Sequence, residues 1–340
     1  MRKLLNTMYV TTPEAYLSKD GMNVVVSVNQ KEIFRIPIVN IEGIVTFGYM
    51  GASPGVMKLC ADNNVSLSFL SPHGKFIGCF QGPIKGNVLL RTKQWDCAKD
   101  EQFALTVSKL FIAGKIQNYR NILSRFIRDN GNNESVEAVI AQLKYCKQKA
   151  LNSSNIDHLR GVEGDAANRY FDVFPQLILH QKQDFIFTGR NRRPPKDAVN
   201  AMLSFVYTLI ASDMASALQT VGLDPYIGFL HTLRPGRASL ALDMMEELRA
   251  YLGDRLVLSL INRKQLSIKD FILHGENGVV MTDNGRKIIL TAWQNRKKET
   301  FIHPYLGEKI PIGLLPYAQA MLFARFVRGD LDNYPVFLIS

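Results

Sequence analysis

The stretch from His231 to Glu246, His-Thr-Leu-Arg-Pro-Gly-Arg-Ala-Ser-Leu-Ala-Leu-Asp-Met-Met-Glu, sets an imidazole, two guanidiniums and two carboxylates close together in the chain. Asp243 and Glu246 stand three positions apart and share a face if the segment is helical. Leu240, Met244, Leu248 and Leu252 recur at helical spacing, the pattern of a buried stripe. A neutral imidazole with carboxylates is a ligand set for Mn²⁺-like or Zn²⁺-like ions, and carboxylates alone suit Mg²⁺. Arg234 and Arg237 flank a Pro-Gly break and have the fork geometry that holds phosphate oxygens. Taken alone, the same stretch also reads as a surface helix with solvated acids and a loop histidine.

A second carboxylate of interest is Glu163, between Gly161 and Gly164 in a segment predicted to be helical over 155–177 and carrying Ala166, Ala167, Asn168 and Tyr170. Glycine inside a helix costs about 1 kcal/mol relative to alanine. Two glycines around one carboxylate therefore predict that something approaches the backbone there. An ordinary packing helix with a solvated Glu is the other reading. Arg190, Arg192 and Arg193, with Lys196, precede a predicted helix over 196–219 and form either a phosphate-binding arrangement or a solvated loop. The remaining histidines, His73, His158, His180, His274 and His303, stand apart from obvious acidic partners. There is no Walker A loop, dinucleotide glycine fingerprint or G-x-S-x-G element, so nucleotide-driven and serine-nucleophile chemistry have no support. Cys60, Cys79, Cys97 and Cys146 make no C-x-x-C pair and read as reduced thiols rather than a zinc ribbon.

The elements that must position these residues divide by period. Residues 1–85 read as a β-rich N-terminal domain, with short β-branched strands between 7 and 79 and a hairpin turn at Asp20-Gly21. Ser53 and Pro54 mark the start of one helix within it. No acid or histidine cluster appears there, and the part is assigned to scaffolding and self-association through exposed strand edges. Residues 86–97, after Gly82-Pro-Ile-Lys-Gly86, read as a linker. From 98 to 340 the period becomes 3.6, with helices expected near 98–129, 135–151, 155–177, 196–219, from the central stretch to about 263, and 312–327. A β-hairpin is predicted over 270–293 with Asp283-Asn-Gly285 as its turn. The fold class is thus α+β: a β-rich N-terminal domain followed by a larger, mainly α-helical catalytic domain.

With 46% hydrophobic residues in 340, the chain can bury two cores and is not globally disordered. Its net charge of +11 points to a polyanionic partner, nucleic acid above all. The N-terminus lacks a signal-peptide core and no apolar run looks long enough to span a bilayer, so a cytoplasmic protein with no membrane partner is expected.

Four motifs in order, Gly161-Val-Glu-Gly-Asp-Ala-Ala, Arg193-Pro-Pro-Lys-Asp-Ala-Val-Asn-Ala-Met-Leu-Ser-Phe-Val-Tyr207, Leu223-Asp-Pro-Tyr-Ile-Gly-Phe-Leu-His231 and Ser239-Leu-Ala-Leu-Asp-Met-Met-Glu246, resemble those of one family. It is the CRISPR-associated integrase of spacer acquisition, also described as an endonuclease, and the type I-C branch is the most similar. The resemblance covers essentially the whole chain. It implies a homodimer formed largely through the N-terminal domain, a small CRISPR-associated subunit bridging two dimers, and an end-trimming CRISPR-associated nuclease as a further partner. It implies a Mg²⁺ or Mn²⁺ site on Glu163, His231 and Glu246, where the family often has Asp in the last position. Asp243 matches a second acidic position of the catalytic group. Captured DNA and the CRISPR repeat are the implied substrates, joined by transesterification from a 3′-hydroxyl, with Arg234, Arg237, Asn168, Tyr170, Arg190, Arg192 and Arg193 as candidate DNA contacts. Cutting of branched DNA without integration, and a non-catalytic nucleic-acid-binding scaffold, are the other functions the residues allow.

Overall fold

The computed structural model describes residues 6–72, 76–80, 82, 88–192, 194–273, 275 and 278–339. The chain forms two compact units, one of residues 1–85, 281–299 and 311–314 and one of residues 86–280, 300–310 and 315–340. Architecture follows the expected α+β class, strands first and helices after.

In the first unit the strands are β1 (Thr7–Val10), β2 (Tyr16–Asp20), β3 (Asn23–Val28), β4 (Lys31–Pro37), β5 (Gly43–Phe47), β6 (Ser66–Leu70) and β7 (Phe76–Phe80), with α1 (Pro54–Asp62) between β5 and β6. One sheet has the order β1-β5-β6-β7, parallel except for the antiparallel pair β6–β7. The other is an antiparallel meander, β2-β3-β4. Asp20 pairs with Asn23 across a two-residue loop in which Gly21 takes a φ of +58°, the left-handed backbone that a twisted hairpin turn needs. Ser53 caps α1 by accepting a hydrogen bond from the Val56 N–H, and Pro54 is the first helical residue. Leu17, Val24, Ile44, Val56 and Leu67 meet in the core between α1 and the strands.

Along the rest of the chain come α2 (Val88–Lys99), α3 (Glu101–Asn130), α4 (Glu134–Leu151), α5 (Ile156–Val173), α6 (Ala198–Thr220) and α7 (Ser239–Leu248). A π-helical turn (Arg249–Asp254) joins α7 to α8 (Arg255–Asn262). Then follow β8 (Phe271–Leu273), β9 (Val279–Met281), α9 (Asp283–Lys298), β10 (Thr300–Ile302), β11 (Lys309–Pro311) and α10 (Leu315–Arg328). In the helical unit α3 packs on α4, α5 and α7, and α6 packs on α7 and α10. Asp100 caps α3 by accepting from the Gln102 and Phe103 N–H groups, and Gly131, at φ +90°, ends it. A Cβ at Gly114 of α3 would lie 2.1 Å from Val336 Cγ1, so the glycine lets the strap of residues 334–339 lie flat on the helix. Asn118 and Asn121 hold that strap: their amides donate to the Phe337 and Ile339 carbonyls, and Asn118 accepts from the Ile339 N–H.

Four expectations are corrected. Residues 88–97 are helix α2 and not a linker, because Leu90, Gln94 and Cys97 are buried at helical spacing; the Gln94 amide donates to the Asp224 and Ile227 carbonyls and accepts from the Asp224 N–H. Residues 86 and 87 lie outside the described residues. The hairpin expected over 270–293 is limited to the short pair β8–β9. Asp283-Asn-Gly285 opens α9 instead, since Thr282 accepts the Gly285 N–H as an N-cap and Ile289, Leu290 and Trp293 bury at helical spacing. The division of the chain is also discontinuous, α9 belonging with the β-rich unit. Finally, α6 is long and apolar enough to cross a bilayer, contrary to the sequence reading, but 61% of its most apolar window is buried inside the protein, as in a core helix.

Candidate active site

Asp243 is fully buried on α7 and organises the loop before that helix. Its Oδ2 accepts the N–H groups of Phe229 (2.7 Å) and Leu230 (2.9 Å), and its Oδ1 accepts the His231 N–H at 3.0 Å. Oδ1 also lies 2.5 Å from His231 Nδ1. Gly228 is required here, because a Cβ would sit 2.7 Å from the Ser239 backbone and 2.8 Å from Asp243 Oδ2. With Nδ1 facing the carboxylate, the imidazole presents Nε2 as its remaining donor or ligand atom, the arrangement by which a carboxylate orients a metal-binding histidine. Asp243 thus has its oxygens spent on the loop and on His231.

Glu246, one turn further along α7, is buried and doubly paired. Its Oε1 lies 2.9 Å from Arg249 and its Oε2 lies 2.8 Å from Lys115 Nζ. Burial by itself raises the Glu246 carboxyl, but Arg249, then Lys115 and His231, overcome it and hold the pKa at about 2. Glu163 reaches the same Lys115 ammonium from α5. Two carboxylates from different helices therefore meet at one cation carried by α3. Arg160, one turn before Glu163, ties α5 to the histidine loop by donating to the Leu230 carbonyl (2.5 Å) and to Thr232 Oγ1 (3.1 Å).

Glu163, His231 and Glu246 have the donor chemistry of a divalent metal site. As arranged, no three His, Cys, Asp or Glu side chains among the described residues converge closely enough to hold an ion. The point between the two glutamates is taken by the Lys115 ammonium.

The candidate DNA contacts divide sharply. Arg234, Arg192 and Asn168 are exposed and Arg237 is half-buried. Arg193 lies outside the described residues. Tyr170 is not a DNA contact: it is fully buried and its ring stacks on Tyr119 at 3.9 Å between centroids. It stands seven residues from Glu163, on the inward stripe of α5. Arg190 is held by the protein, donating to the Asn191 carbonyl, Asn200 Oδ1 (2.7 Å) and Ser204 Oγ (3.1 Å). The glycines beside Glu163 also differ from expectation, since a Cβ at Gly161 or Gly164 would meet nothing within 4 Å. Among the described residues nothing comes within 4 Å of a Cβ at either glycine, and that face of α5 is open.

The family model for CRISPR associated protein Cas1 matches residues 8–295. The chain belongs to the Cas1 family. It is 48% identical over 341 residues to the CRISPR-associated endonuclease Cas1 1 of Chlorobaculum tepidum, with 99% of each chain covered. It is 46% identical over 342 residues to the CRISPR-associated endonuclease Cas1 2 of Rhodospirillum rubrum, with 98% of each covered. It is also 32% identical to a CRISPR-associated exonuclease Cas4/endonuclease Cas1 fusion of Geobacter sulfurreducens, over 97% of this chain and 60% of the fusion. Among solved structures, a casposase bound to integration product superposes with a TM-score of 0.84 at 22% identity, over 97% of this chain and 92% of that one. A Cas1 protein from Thermotoga maritima gives 0.82 at 22% identity, over 98% and 100%. The Cas1 fold is thereby shared along nearly the whole chain.

Lys115, Arg249 and Arg160 join this cluster, and the sequence reading gives none of them a role in it, although it places Lys115 on the helical stretch 98–129. Lys115 was legible in principle: it lies midway between Phe111 and Tyr119 on the buried stripe of α3, where a lysine needs a carboxylate partner. Arg249 sits three residues after Glu246, an ion-pair spacing. The Arg160 bond spans 70 residues of sequence and leaves no local signal.

Proposed function

We propose that this Cas1 chain is a metal-dependent DNA endonuclease and integrase of CRISPR adaptation, joining the 3′-hydroxyl ends of captured DNA to the CRISPR repeat. The observation that carries the reading is the meeting of Glu163 and Glu246 at a single cation, with His231 oriented by Asp243 on the turn of α7 before Glu246. In the reaction the attacking 3′-oxygen forms one P–O bond as the repeat's own phosphodiester P–O bond breaks. Bonds are exchanged one for one, consistent with a chain that has no nucleotide-binding loop. Glu163, His231 and Glu246 would hold a Mg²⁺ or Mn²⁺ ion, which when bound would supply charge neutralisation at the phosphate and a lowered pKa for the attacking hydroxyl.

The chain's own residues have separate tasks. Asp243 fixes the tautomer and direction of the imidazole so that Nε2 is the free ligand atom. Arg249 keeps Glu246 ionised although it is buried. Arg160 holds the histidine loop to the helix that carries Glu163. The open face beside Gly161 and Gly164 gives room for a DNA backbone, and Arg234, Arg237, Arg192, Arg193 and Asn168 are assigned to its phosphates. Positioning two DNA ends contributes much of the remaining rate enhancement.

The family resemblance supports a homodimer, a small bridging CRISPR-associated subunit and cytoplasmic action. The fused Cas4 exonuclease in the Geobacter relative supports an end-trimming nuclease as a partner. Hydrolysis by the same site, with water in place of the 3′-hydroxyl, is the second reading and is favoured by the endonuclease names of the relatives. The deciding experiment compares wild type with Glu163→Ala and His231→Ala for Mn²⁺-dependent joining and cutting on repeat and non-repeat targets. Both reactions are expected to be lost while DNA affinity is kept. Joining that persists in either variant excludes this site, and cutting without joining in wild type selects the hydrolytic reading.

A further inference from the structure

Lys115 is only 1% exposed, among the most buried of the large side chains in the protein. A lysine so placed keeps its charge only when paired. Its ammonium touches Glu163 on α5 and lies 2.8 Å from Glu246 on α7, while the residue itself belongs to α3. This is the only ion pair Glu163 makes among the described residues, whereas Glu246 also has Arg249. Two carboxylates brought to one point repel each other, and a positive charge between them removes that repulsion. A lysine does so with a point charge on a flexible four-carbon stem, so it can be withdrawn. The Tyr119 ring, its centroid 5.8 Å from Nζ, faces the same ammonium.

We infer that Lys115 is an internal counter-cation: it holds the Glu163 and Glu246 carboxylates together in the metal-free protein and competes with the divalent ion for the point between them. This rests on the metal-binding reading above. Lys115 is a positioning residue in this role, setting how tightly the site takes its ion and keeping the site assembled until it does.

The test measures Mn²⁺ binding by loss of the free-ion EPR signal, together with thermal unfolding in EDTA and in Mn²⁺, on the full chain. Wild type is compared with Lys115→Met, Lys115→Arg and Glu163→Gln. Lys115→Met is expected to bind Mn²⁺ roughly tenfold more tightly than wild type, because no ammonium competes for the carboxylates. It is also expected to melt below wild type in EDTA and to regain most of that loss in Mn²⁺. Lys115→Arg, which keeps the charge, is expected to bind no more tightly than wild type. Equal or weaker Mn²⁺ affinity in Lys115→Met, in a protein whose binding is lost in Glu163→Gln, overturns the role of Lys115 and leaves the metal site standing. Affinity that Glu163→Gln does not change overturns the metal site itself. Lys115→Gln replaces Lys115→Met if the latter is recovered only unfolded, and the same outcomes decide.

Discussion

Asp243 and His231 are joined twice, the carboxylate accepting the backbone N–H at 3.0 Å and lying 2.5 Å from the ring Nδ1. One carboxylate thus sets both where the loop runs and which imidazole nitrogen faces outward. Asp243→Asn leaves one oxygen for four donors and turns an N–H group toward at least one of them. Metal affinity and strand joining are expected to fall roughly 10–100-fold, as for other groups that orient a metal-binding histidine. Isothermal titration with Mn²⁺ and a joining assay measure this. Unchanged values in a folded variant contradict the orienting role.

Tyr170 separates a structural residue from a DNA contact. Its ring is buried against Tyr119, Phe171 and Phe174. Tyr170→Ala is expected to cost about 3–5 kcal/mol of stability, the range for emptying a large aromatic site, while DNA affinity of the folded protein is unchanged. Chemical denaturation and fluorescence anisotropy give the two numbers, and a selective loss of DNA affinity contradicts the burial account.

The two arginines Arg234 and Arg190 are expected to part in the same way. Exposed Arg234 is expected to contribute a phosphate contact, so Arg234→Ala is expected to reduce the slope of log affinity against log salt by about one. Arg190 is engaged with Asn200 and Ser204, so Arg190→Ala lowers stability and leaves the salt slope as in wild type. Equal salt slopes in wild type and Arg234→Ala remove Arg234 from the interface.

Glu247, next to Glu246, gives a pH signature. Burial lifts its carboxyl from 4.5 to about 7 against the pull of hydrogen bonds from Tyr334, Gln319 and the Phe337 N–H. The folded protein then holds this proton more tightly than the unfolded chain. Its stabilising effect is complete below pH 4.5 and is lost as pH rises through 7. Asp254, lifted to about 6 by burial, acts with the same sign. Glu247→Gln cannot titrate, so the stability of wild type relative to this variant is expected to fall by on the order of 2 kcal/mol between pH 5 and pH 8. Urea unfolding across that range measures it, and a difference that stays level refutes the assignment.

Much of the helical architecture was open to reading because α3, α4, α6 and α10 bury stripes at period 3.6. The Asp-Asn-Gly sequence at 283–285 misled because a hairpin turn and the first turn of a capped helix favour the same residues, and Thr282 decided for the helix. The pairing of α2 with residues 224–227 through Gln94 depends on contacts 130 positions apart, which no local pattern encodes. At the site, the acids and the histidine stood out by type, but what each touches did not. Asp243 and Glu246 look alike in sequence, yet one is spent on backbone N–H groups and the other on cations. Only the three-dimensional arrangement assigns those different duties.

Consecutive Glu246 and Glu247 grip different parts of the unit, one the cations Lys115 and Arg249, the other the strap through Tyr334 and Phe337. A helix pinned through both is held against rolling and sliding. How far a carboxylate at position 246 reaches is therefore set by the length of its side chain, and not by a shift of the backbone beneath it.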